Sequence, residues 1–181
     1  YYNIKKQVLN LKILYSIISK LIEKEGGSRM ENSKVVAKVL YNMYQDRFWC
    51  PMDEMKMHKL MYFAQRESLM YDKEPLFEES FYGWKYGPVL KSVRSQFMTP
   101  QPYADVREDV SSETKKLLSE VLERYGTVSS WKLSSLSHDE LSWKRARQGL
   151  KAHDNGDVEL SMNAMRLDAT RELAARKMQL S

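Results

Sequence analysis

The stretch between Pro51 and Pro75 constrains the fold more than any other part of the chain. Asp53 is suited to cap a helix, because its carboxylate can accept the amides that a first turn leaves unsatisfied. From there to about Tyr71, Met57, Leu60, Met61, Ala64 and Ser68 recur on one side, and Phe63 and Met70 widen the stripe. A helix this broadly apolar predicts a central element with other elements packed around it. Its methionines read as core filler, the commoner use of that flexible side chain.

The flanking sequence supplies the covering elements. Val35, Val36, Val39, Leu40, Met43 and Tyr44 recur at three- and four-residue spacing after Asn32 and Ser33, and Pro51 closes this first helix. Between Leu76 and Tyr86, aromatic and polar residues partly alternate, which predicts short extended segments. Gly87-Pro88 reads as the entry to a short helix carrying Val89, Leu90, Val93 and Phe97, with Pro88 at its first position. Ser111 or Ser112 starts a helix to about Tyr125, and a shorter one carries Trp131, Leu133 and Leu136. Asp139 is expected to cap a further helix with a basic end at Lys144, Arg145 and Arg147. The fold class is therefore mainly α, or α+β: a compact helical domain with a short hairpin-like element between the second and third helices of the body. The last helix, Leu160 to Met178, has an irregular stripe and reads as a tail that orders against a partner.

Charge is distributed unevenly. Residues 1–29 hold six Lys or Arg and two Asp or Glu, so of the totals of 29 and 24 the other 152 residues carry 23 and 22. The near-neutral body argues against nucleic acid as a partner. Lys132 to Lys151, with five bases against two acids, is too small a surplus to change that. Residues 1–29 form an amphipathic pattern interrupted by Lys12 and Lys20, too short an apolar run to span a bilayer. Met30 stands directly before the first helix, and Lys24-Glu25-Gly26-Gly27 is what a ribosome-binding site encodes when read in frame. Residues 1–29 are accordingly expected to be an over-extended reading frame, followed by a domain over 30–150 and a tail over 151–181.

No catalytic pattern is present. The chain has no phosphate-binding glycine loop, no G-x-S-x-G and no H-E-x-x-H. One cysteine and three histidines leave no metal site by spacing and no cofactor box, and a lone cysteine fits a reducing, cytoplasmic setting. A hydrolase built on Cys50 with His58 or His138 is the weak enzymatic reading. Trp84, Tyr82, Tyr86 and Trp143 beside Lys85 and Arg145 have two readings, a base-stacking surface and an aromatic core, and the core is favoured.

Met57-His58-Lys59-Leu60-Met61-Tyr62-Phe63-Ala64-Gln65, then Pro75-Leu76-Phe77, then Phe81-Tyr82-Gly83-Trp84-Lys85-Tyr86-Gly87-Pro88-Val89, and His138 through Ala146, together resemble the Panacea domain of SocA-like antitoxins and phage-associated proteins. The resemblance covers about Lys34 to Leu150. Its motif positions here include Leu60, Ala64, Gln65, Gly87, Pro88 and His138. Met61 and Arg66 depart from the usual pattern without breaking the apolar face.

The resemblance implies a non-catalytic antitoxin of a bacterial or prophage toxin–antitoxin pair. Such a protein neutralises a cognate protein toxin by direct contact, and some members present the toxin to a protease. The candidate partner-binding residues are Trp84, Lys85, Tyr86, Trp143, Arg145 and Arg147, because a few aromatic and arginine anchors carry most of the energy of a protein interface. The alternative function is a phage or mobile-element regulator that binds nucleic acid or a host protein. No membrane contact is expected.

Overall fold

The computed structural model describes residues 30–179, so the reading of residues 1–29 lies outside the described residues. Within these, seven helices and one two-stranded sheet follow in the order α1 (Ser33–Phe48), α2 (Glu54–Tyr71), β1 (Tyr82–Trp84), β2 (Gly87–Val89), α3 (Lys91–Phe97), α4 (Ser112–Tyr125), α5 (Ser130–His138), α6 (Leu141–Ala146) and α7 (Met162–Gln179). The mainly helical class with a short hairpin after the second helix is borne out.

The central helix is α2. Asp53 caps it, its Oδ1 accepting the Lys56 amide at 2.8 Å, and every residue from Lys56 to Met70 is buried. α4, α5 and α7 pack on it, and β2 lies against it. The core places Met57, Leu60, Tyr62, Phe63 and Ala64 against Leu40 of α1, Phe77, Phe81, Leu90, Leu118 and Leu122. α1 stops at Trp49, which adopts left-handed angles (φ 55°) and returns its amide to the Gln45 carbonyl.

Gln65 fixes the chain that follows α2. Its Nε2 donates to the Phe77 carbonyl at 3.0 Å, and its Oε1 accepts the amides of Leu76 at 2.8 Å and Phe77 at 3.3 Å. The motif glutamine is therefore a buried clasp on the Pro75-Leu76-Phe77 turn.

β1 and β2 pair antiparallel through Tyr82↔Val89, Gly83↔Pro88 and Trp84↔Gly87, joined by Lys85 and Tyr86. Gly87-Pro88 thus belongs to a strand, which corrects the expectation that Pro88 opens a helix. The amide of Gly83 points away from β2, to the Val158 carbonyl at 2.9 Å, so Gly83↔Pro88 is a non-hydrogen-bonded pair. At such a position the missing N–H of proline costs the ladder nothing. The helix begins only at Lys91, after Leu90 has donated its amide to His58 Nδ1 at 3.3 Å.

The C-terminal helix is an integral part of the fold, which corrects its reading as a partner-dependent tail. α7 packs along α2 and α6, burying Ala164, Met165, Asp168 and Ala169. Asp168 also supplies the cap that was expected from Asp139: its Oδ1 accepts the Leu141 amide at 2.7 Å and its Oδ2 the Ser142 amide at 2.9 Å. Asp139 sits instead at the C-terminal end of α5, beside Lys144. The segment leading into α7 is held to the sheet as well, with Leu160 donating to the Phe81 carbonyl at 2.7 Å.

Candidate functional site

A cleft of about 530 Å³ opens where the first turns of α2 meet the hairpin. Asp53, Glu54, Met55, His58 and Lys59 contribute from α2 and its cap, Trp84 to Tyr86 and Val89 from the hairpin, and Arg94 from α3. Two helices and the hairpin between them thus supply every group in this site except Asn155.

Lys59 is the unusual group. Only 1% of it is exposed, and its Nζ donates to the Pro88 carbonyl at 3.0 Å. Gly87 above it has φ 107°, and a Cβ there would strike both Lys59 and Ser137. The glycine is required twice, by the turn geometry and by the lysine beneath it. Burial pushes the Lys59 amine down to about 7, opposed only in part by the fields of Glu54 and Asp53. No carboxylate pairs with it among the described residues.

His58 is disfavoured as a cation. Burial lowers its affinity for a proton, and its Nδ1 accepts the Leu90 amide while Nε2 faces Glu54 Oε1 at 3.3 Å. Glu54 also receives Arg94 at 3.0 Å, and its hydrogen bond with His58 is the main reason its carboxyl lies below the ordinary range. Asp53 is occupied by its capping bond and by Ser130 Oγ at 2.5 Å. Both acids of the cleft are therefore engaged.

The aromatic wall is braced from behind. Arg94 lies over the Trp84 ring at 5.2 Å, Trp84 Nε1 donates to Asp157 at 3.2 Å, and Trp143 Nε1 donates to the Trp84 carbonyl at 2.8 Å. His138 stacks on Trp143 with centroids 4.1 Å apart, and burial lowers its proton affinity too. Tyr86, 46% exposed, meets Trp131, 64% exposed, edge to face at 5.6 Å.

The candidate partner residues thus fall into three groups. Trp84, Lys85 and Tyr86 line the cleft. Trp143 and Arg147 stand behind it: Arg147 is buried and donates to the carbonyls of Gly83, Lys151 and Asp154 at 3.1, 3.0 and 2.8 Å. That guanidinium is committed to the scaffold. Arg145 is exposed on α6 and does not line the cleft. Leu60, Ala64 and Gln65 are core, and His138 braces Trp143. Sequence reasoning missed Lys59, Arg94 and Trp131. A lysine inside the apolar stripe of the central helix was the one available signal.

The Cys50–histidine pair of the enzymatic reading is not assembled. Cys50 lies 3.9 Å from Tyr44 Oη, and neither His58 nor His138 is bonded to it. Among the described residues no cluster of three or more His, Cys, Asp or Glu is placed to hold a metal. No described helix is long and apolar enough to cross a membrane.

Residues 57–144 match the antitoxin SocA-like, Panacea domain family. The resemblance read from the motifs is borne out over that span, which contains α2 from Met57 onward, the hairpin, Lys59, Gln65 and the His138–Trp143 stack. The Panacea match begins one residue before His58 and ends inside α6, so it takes in most of the cleft and leaves out α1 and α7. No curated protein and no solved structure matches the chain.

Proposed function

We propose that the protein is an antitoxin that neutralises a cognate protein toxin by direct binding, through the face formed by Trp84, Lys85, Tyr86 and Trp131. The observation that carries this reading is the exposed Tyr86–Trp131 pair, whose tyrosine lines a braced cleft, within a Panacea-matching segment. Large exposed rings held rigidly are favourable interface anchors, because little side-chain freedom remains to be lost on binding. The hairpin, fixed by Lys59 below and Trp143 behind, supplies that rigidity. A cytoplasmic setting and a role without chemistry of its own belong to the same reading, as does presentation of the toxin to a protease.

Co-expression tests it. The open reading frame adjacent to this gene is induced alone and together with the protein in a bacterial host. Growth arrest by the neighbour, relieved by the protein and accompanied by a complex that survives raised salt, is the expected result. A complex with nucleic acid that dissolves steeply as salt rises would instead favour the regulator reading. Failure to relieve arrest by any adjacent frame would remove the antitoxin reading.

A further inference from the structure

The cleft holds a buried amine with no counter-ion for its charged form. Its cationic groups are Lys59, Lys85 and Arg94, and its carboxylates are Asp53 and Glu54. Glu54 is bonded to Arg94 and His58, and Asp53 to the Lys56 amide and Ser130. Lys85 rests over the Tyr86 ring at 4.8 Å. Lys59 is left with a single carbonyl, that of Pro88, although an ammonium has three protons to donate. Burying a charge without a partner is costly, and such a site gains most from a ligand that brings the missing charge. Around it stand rings and aliphatic groups, Trp84, Tyr86, Met55 and Val89, able to cover an apolar stem.

From this arrangement we infer that the cleft is a receptor for an acidic side chain of the partner polypeptide, its carboxylate pairing with Lys59 and its methylenes packing on Trp84 and Tyr86. The partner being a polypeptide rests on the proposed function; the carboxylate chemistry rests on the cleft alone. An acidic anchor fits better than a basic one, because Asp53 and Glu54 each already accept two hydrogen bonds, whereas Lys59 donates only one of its three. It fits better than a purely apolar anchor, which would seal the lysine away from both water and charge.

Binding is then linked to protonation. A carboxylate brought to Lys59 favours its charged form, so the anchor is taken up together with a proton near neutral pH. The groups facing Lys59 are Asp53, Glu54 and His58 on α2, Lys85 on the hairpin, Arg94 on α3 and His138 on α5. Burial lowers the proton affinity of both His58 and His138, whereas the Lys59 amine, at about 7, is the group that a nearby carboxylate would charge.

The test uses the whole protein with lysine Cε carbon-13 labelled and the indole nitrogens nitrogen-15 labelled, followed by nuclear magnetic resonance. The probes are N-acetyl-glutamate N-methylamide, the glutamine analogue and acetate, each taken to saturation. In the free protein the Lys59 signal is expected to titrate near 7. The glutamate probe should raise that midpoint by roughly one to three pH units and move the Trp84 indole signal, while the glutamine probe does neither. Lys59→Met and Tyr86→Ala should each weaken the glutamate probe at least tenfold; the exposed position of Tyr86 keeps the second variant informative if the first does not fold. Equal response to both amino-acid probes, or no response to either, overturns the inference. So does an equal response to acetate without movement of Trp84, which would mark a small-anion site only. None of these outcomes depends on toxin rescue, so failure here and failure of the antitoxin reading are separately visible.

Discussion

Gln65 and Phe77 exchange two hydrogen bonds across the turn that follows the central helix, side-chain Nε2 to carbonyl at 3.0 Å and backbone amide to Oε1 at 3.3 Å. A third bond, from the Leu76 amide at 2.8 Å, completes the clasp. Gln65→Leu leaves three buried backbone groups unsatisfied, each costing about 1–3 kcal/mol less whatever relaxation recovers. Urea unfolding should show a loss of roughly 3 kcal/mol, and a loss under about 1 kcal/mol would show that the turn is held by its apolar contacts instead.

Asp168 reaches from α7 to the bare start of α6 and also accepts Tyr62 Oη at 3.3 Å. Asp168→Ala removes a cap and a buried partner together, for an expected loss of roughly 2 kcal/mol. Asp139→Ala, at the position the sequence favoured for the cap, should change stability by less than about 0.5 kcal/mol. Equal effects of the two substitutions would contradict the assignment.

Lys59 gives stability a defined pH dependence. Its folded-state value of about 7 lies below the ordinary 10.5, so between these the unfolded chain binds more protons. The lysine's contribution is therefore smallest below about 7 and grows as pH rises toward 10.5. Lys59→Met should flatten the rise of unfolding free energy across that window, measured by urea titration at several pH values. His58, also lowered, acts in a separate window below 6.5, which the substitution should leave in place. An unchanged slope in the alkaline window would mean that the Lys59 amine is solvated in the native state.

Tyr86 and Trp131 touch each other at the surface and little of the core. Tyr86→Ala and Trp131→Ala should each cost less than about 0.5 kcal/mol of stability while weakening toxin binding tenfold or more. Arg145→Ala, outside the cleft, should bind as the parent does. Calorimetry or surface plasmon resonance with the toxin identified by rescue decides between them.

Where pattern alone determines structure, the sequence reading succeeded. The 3.6-residue stripe of α2 required burial on nearly every side, and Asp53 and Ser111 have short side chains that cap locally. The misreadings share one cause, which is dependence on contacts distant in the chain. Pro88 can enter a strand only because Gly83 turns its amide to Val158, and α6 needs no cap of its own because Asp168 arrives from 26 residues or more away. The cleft was partly legible: Trp84, Lys85 and Tyr86 stand in a recognisable motif. That Lys59 lies under Gly87, and that Arg147 faces inward, follows from packing that no spacing rule contains.

The recognisable signature and the cooperative unit are different lengths of chain. A fragment cut to residues 57–144 would discard Leu40 with the rest of α1, remove Asp168, and strip Arg176 from Glu67 on the central helix. Anyone exchanging recognition loops between relatives must therefore transplant, or rebuild around, the far end of the polypeptide as well. Grafts that respect only the motif boundaries would inherit the hairpin's chemistry without the buttress that keeps it in register.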